Sequence, residues 1–85
     1  MKEFTYTITD EQGIHARPAG LLVKEAAGFA SAITIEKDCK KVDAKRILGV
    51  MGLGAKKGAE ITLRAEGEDE DAAIEKLSAF LQENL

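Results

Sequence analysis

Apolar and polar residues alternate one for one at 4–8, 33–35 and 61–65, and this alternation constrains the fold more than any other feature of the chain. A side-chain period of two belongs to strands with one buried face and one wet face. Phe4, Tyr6 and Ile8 therefore share a face opposite Thr5 and Thr7. Ile33 and Ile35 flank Thr34, and Ile61, Leu63 and Ala65 stand opposite Thr62 and Arg64. Val42 and Ala44 give a further short strand, joined to the second by a tight turn at KDCK, 37–40. Four half-buried strands need one apolar layer to cover them.

Between the strands the period changes. From Ala16 onward, Ala19, Leu22, Val23 and Ala26 fall at i, i+3, i+4 and i+7, the stripe of an amphipathic helix, with Gly28 as its C′ residue. Ala73, Ile74, Leu77 and Leu81 form a similar stripe near the end of the chain. The acids Glu68, Asp69, Glu70 and Asp71 gather at the start of that helix, where its dipole favours them. ILGVMGL at 47–53 reads as a short helix of one or two turns with an exposed apolar side. The order βαββαβα predicts an α+β open-faced sandwich: a four-stranded antiparallel sheet with three helices on one face. With 85 residues the chain forms one domain, 1–85.

Composition excludes several functions. No apolar run approaches the roughly 20 residues of a membrane span, so direct insertion into a membrane is not expected. MKEFTYTITD lacks the layout of a signal peptide, which makes the cytoplasm the expected location. The net charge of −3 argues against nucleic acid as a partner. Cys39 is the sole cysteine and His15 the sole histidine, so neither a disulfide within the chain nor a Cys/His metal site is expected.

Function in such a scaffold belongs to loops and helix starts. GIHARPAG at 13–20 concentrates the chemistry. A helix beginning at Ala16 makes His15 its N-cap and leaves the first backbone N–H groups without helical partners. Those groups and the helix dipole favour a phosphoryl group. Pro18 is tolerated there because its missing N–H would have been unpaired, and Arg17 adds a fork of donors suited to phosphate. A neutral imidazole beside that site can itself accept the phosphoryl group. On local spacing alone, a solvated cap is the commoner use of such a histidine.

GIHARPAG, ILGVMGLG at 47–54 and KKGAEITLRAEGEDE at 56–70, together with length and element order, resemble the HPr family, the histidine-containing phosphocarriers of the bacterial phosphotransferase system. The likeness covers essentially the whole chain. It implies a small monomeric carrier, without metal or organic cofactor, that takes a phosphoryl group from phosphorylated Enzyme I and passes it to IIA domains of sugar permeases. The acceptor maps onto Nδ1 of His15, and the phosphoryl group lies against Ala16 and Arg17. The docking surface maps onto Ile47, Leu48 and Met51, with Gly20 and Leu21 beside them. By charge, Lys45 and Arg46 extend a basic rim with Arg17 and Lys24 that would steer acidic partners. Two alternatives stay open: an HPr-like carrier in a regulatory or nitrogen-related chain, and an interaction module without phosphotransfer.

The chain departs from the family at position 46. Many members carry a serine just before the short helix, which a dedicated HPr kinase modifies. Arg46 stands there and cannot accept that phosphate, so regulation by that kinase is expected to be absent. Gly20 also replaces a residue that is commonly Thr or Ala, which predicts a looser first helix.

Overall fold

A computed structural model describes residues 1–85. Its elements run β1 (Lys2–Thr7), α1 (Ala16–Ala27), β2 (Ala32–Lys37), β3 (Lys40–Asp43), α2 (Ile47–Gly52), β4 (Glu60–Glu66) and α3 (Glu70–Asn84), the expected order. All pairings are antiparallel, and the strands lie in the order β1-β4-β2-β3. β4 thus enters between β1 and β2, and β2 separates β3 from β4. These are two interlocked split crossovers, a feature that alternation alone does not reveal.

The alternating residues bury as their period requires. Ile33, Ile35, Ile61, Leu63 and Ala65 are fully covered, together with Leu22 from α1, Val50 from α2, and Leu77 and Leu81 from α3. Burying each large aliphatic side chain contributes about 1.5–3 kcal/mol. Phe4 and Tyr6 are half-buried at the edge of this core, as are Val23 and Ile74. The opposite sheet face is polar. There Arg64 donates to Glu3 at 2.8 Å from the neighbouring β1 and to Glu36 on β2.

Residues 38–39 form a two-residue hairpin loop in which Asp38 and Cys39 both have positive φ, 51° and 66°. That is the type I′ geometry whose twist suits a tight hairpin. Two lysines of this hairpin serve α2: Lys40 Nζ donates to the Gly52 carbonyl at 2.9 Å, and Lys37 Nζ reaches the Leu53 carbonyl at 3.5 Å. Cations at the C-terminal end of a short helix satisfy its orphan carbonyls. Gly49 lies where a Cβ would touch Val42 at 3.4 Å, so the closeness of α2 to β3 accounts for it.

Two local expectations are corrected. Gly28 ends α1 at φ −75° rather than in the left-handed region, because its amide bonds Glu25 and the Phe29 amide bonds Ala26 in a continuing turn. β3 stops at Asp43, one residue short of Ala44, although the Ala44 amide still donates to Ile33 at 2.9 Å.

Asp69, the N-cap of α3, makes no side-chain bond to its own helix. Its carboxylate instead accepts the Ser31 hydroxyl, the Ala30 amide at 2.8 Å and the Ser31 amide at 2.9 Å, tying α3 to the entry of β2. The Ser31 hydroxyl, then the Ala30 amide, hold this carboxyl below its ordinary 3.8. A depressed carboxylate stabilises the fold above the unfolded-state value and loses that contribution as pH falls through the folded value. Acid unfolding of wild type is therefore expected to outpace that of Asp69→Asn below about pH 4, so the stability gap between them narrows. Urea midpoints measured from pH 7 down to pH 3 test this, and a constant gap would refute it.

Candidate functional site

His15 stands where the sequence places it, at the N-cap of α1 with extended backbone (φ −103°, ψ −176°). Its carbonyl accepts the Ala19 amide at 2.9 Å, the first bond of the helix. Its side chain makes no capping bond, so the imidazole is free for other work. The Ala16 and Arg17 amides have no protein partner, and Pro18 has no N–H. Arg17 is exposed and enters no ion pair, while Pro18 and Ala19 beneath it are buried. The first turn of α1 thus presents two amides and one guanidinium beside a half-buried imidazole. These are donors for an anion on a rigid base.

The rigidity comes from the loop before the helix. Gly13 has φ +66°, and a Cβ there would lie 2.3 Å from the Ala55 carbonyl oxygen and 2.6 Å from Lys56 Cα. Only glycine permits this approach. It lets the Ile14 amide donate to that same Ala55 carbonyl at 3.0 Å, and Ile14 is buried. The segment following α2 therefore fixes the two residues ahead of His15.

A concavity of about 230 Å³ opens beside the imidazole, lined by Asp10, His15, Arg17, Pro18, Leu21 and Asn84. Asp10 and Asn84 did not stand out in the sequence. Asp10 reads as a turn residue of DEQG, and Asn84 is brought in from the far end of the chain by the packing of α3. Thr9 and Asp10 donate their amides to the Leu85 main-chain oxygen, which fastens that end beside the site.

The candidate docking residues gather on one side of the histidine. Leu48 is 83% exposed, and Leu21, Ile47 and Met51 are 40–44% exposed. Gly20 faces Ile47, whose Cδ1 would lie 3.7 Å from a Cβ at position 20, so α1 and α2 present a continuous apolar surface. Three exposed apolar side chains on a helix of six residues have no reason in the core. The basic residues divide. Lys24 is exposed on the last turn of α1, and Arg46 is exposed with only a 3.9 Å approach to Asp43. Lys45 is half-buried and donates to the Phe29 carbonyl at 2.8 Å, so its ammonium is held against the end of α1 rather than on a rim with Arg17.

The fold thus sets its one imidazole at an exposed helix start, beside an apolar patch. The family model described as "PTS HPr component phosphorylation site" matches residues 2–83. The chain is 52% identical over 83 residues to phosphocarrier protein HPr of Lysinibacillus sphaericus, covering 98% of this chain and 94% of that protein. It is 53% identical over 73 residues to the HPr-like protein Crh of Bacillus subtilis, covering 86% of each. A crystal structure of HPr from Thermoanaerobacter tengcongensis superposes with a TM-score of 0.92 at 49% identity, covering 96% of this chain and 92% of that one. The chain belongs to the HPr family of phosphocarrier proteins. No helix is long and apolar enough to cross a membrane.

Proposed function

We propose that this protein accepts a phosphoryl group on Nδ1 of His15 from phosphorylated Enzyme I and donates it to IIA domains of sugar permeases. The observation that carries the reading is the unengaged imidazole of His15 beside the unpartnered amides of Ala16 and Arg17 and the unpaired Arg17 guanidinium. In the forward step the His15 Nδ1–P bond forms as the donor's N–P bond breaks. The donor nitrogen keeps the bonding pair and takes up a proton, and His15 releases its Nε2 proton. Ala16, Arg17 and the helix dipole hold the transferred charge. The carrier supplies rigidity, and the docked partner supplies the exclusion of water.

On this reading the protein works as a cytoplasmic monomer that docks through Gly20, Leu21, Ile47, Leu48 and Met51, with Lys24 and Arg46 steering. Arg46 leaves no hydroxyl for an HPr kinase at that position. A second reading, a regulatory or nitrogen-related carrier, draws on the equal likeness to an HPr and to the HPr-like Crh. Titration calorimetry against the sugar-chain Enzyme I and its nitrogen-chain counterpart separates the two. Tighter binding to the former supports the proposal, and tighter binding to the latter supports the alternative. Leu48→Ser is expected to weaken the preferred complex about tenfold, since a central apolar contact carries more than about 1 kcal/mol. Its melting temperature should stay unchanged because Leu48 is exposed. Undiminished affinity would remove α2 from the interface.

A further inference from the structure

We propose that Asp10 tunes the His15 site: its carboxylate shares the concavity with the phosphoryl group, repels it and keeps it transferable. The inference rests on the phosphocarrier reading above. Asp10 is half-buried and held from three sides. Its amide donates to the Leu85 main-chain oxygen at 2.7 Å, its carbonyl accepts the Gly13 amide at 3.0 Å, and its Oδ1 accepts the Gln12 amide at 2.8 Å. The second carboxylate oxygen has no partner in the protein, and Asp10 enters no ion pair. An anchored carboxylate therefore lines the same concavity as His15 and Arg17.

The lining of the concavity is mixed. It includes the donors of the Arg17 guanidinium and, beside His15, the acceptor oxygens of the Asp10 carboxylate. Asn84 also lines it, anchored by one amide N–H that it donates to the Phe80 carbonyl at 3.0 Å. A site built to retain phosphate would be lined with donors throughout. A carrier must also let go, and donors alone would turn phosphorylated His15 into a sink. A fixed negative charge in the same concavity raises the free energy of the phosphorylated form without touching the bonds that form and break. Two unit charges 4 Å apart in water interact by about 1 kcal/mol, and a phosphoryl dianion at twice that distance feels a similar repulsion, or about fivefold in an equilibrium constant.

The test is the equilibrium between phosphorylated Enzyme I and this protein, read by phosphorus NMR at low salt for wild type, Asp10→Asn and Asp10→Ser. Asparagine keeps an oxygen for the Gln12 amide and serine offers a similar local bond, so the turn survives in at least one neutral variant. Removing the charge is expected to shift the equilibrium about fivefold toward phosphorylated carrier, and the shift should collapse in molar salt. Equal constants for wild type and folded neutral variants would overturn the role of Asp10 while leaving the carrier function intact. A wild type that takes up no phosphoryl group would overturn both.

Discussion

Replacing Gly13 with alanine is expected to lower the melting temperature by about 8–40 °C and to dislodge His15. The left-handed backbone costs about 1–2 kcal/mol in a non-glycine residue, and displacing packed atoms adds about 1–3 kcal/mol. Each kcal/mol is worth about 4–8 °C in a domain of this size. The displaced atoms are the Ala55 carbonyl oxygen, 2.3 Å from the new Cβ, and Lys56 Cα. Since the Ile14 amide bonds that carbonyl, relief of the clash moves the residue beside His15. Gly54 is the control. It has a similar φ of +64° with nothing within 4 Å of a Cβ, so Gly54→Ala should lose only the backbone part. Calorimetric melting of both variants decides the matter, and equal losses would refute the role of the contact.

Arg17→Ala should reduce phosphoryl transfer by about a hundredfold or more, the usual loss when a charge-stabilising donor is removed from a water-excluded site. Its melting temperature should stay within a degree or two of wild type, because the side chain is exposed and forms no ion pair. The exposure also explains the expected timing. In the free protein Arg17 is screened by water, and its contribution grows once a partner covers the site. Arg17→Lys keeps the charge and loses the planar fork, so it should fall between the two. Quenched-flow transfer from phosphorylated Enzyme I measures the series. A wild-type rate in Arg17→Ala would place the phosphoryl group elsewhere.

Much of this molecule was legible because its signals are local. The alternation at 4–8, 33–35 and 61–65 gives the three longer strands, and the spacing of Ala19, Leu22 and Ala26 gives the buried stripe of α1. The N-cap position of His15 followed from that stripe, which starts the helix at Ala16. An exposed apolar side could be read in ILGVMGL at 47–53, whereas the choice of Ile47, Leu48 and Met51 for it came from the family resemblance. The remainder depends on distance in sequence. Asp69 meets Ser31 across 38 residues, and Lys45 meets Phe29 across 16. Nothing near either residue marks it as a tether rather than a solvated charge. Lys45 shows the consequence: by type and position it belongs to a basic rim, yet an orphan carbonyl at the end of α1 claims it first. Asp10 and Asn84 join the His15 concavity for a similar reason, since only the seating of α3 brings the two ends of the chain together.

The most direct measurement is incubation with Enzyme I and phosphoenolpyruvate, wild type beside His15→Ala, followed by intact mass and then mild acid. One added phosphoryl group is expected on wild type, lost in acid, and none on the variant. A folded wild type that stays unmodified beside an active Enzyme I control would contradict it, as would a phosphoryl group that persists in His15→Ala.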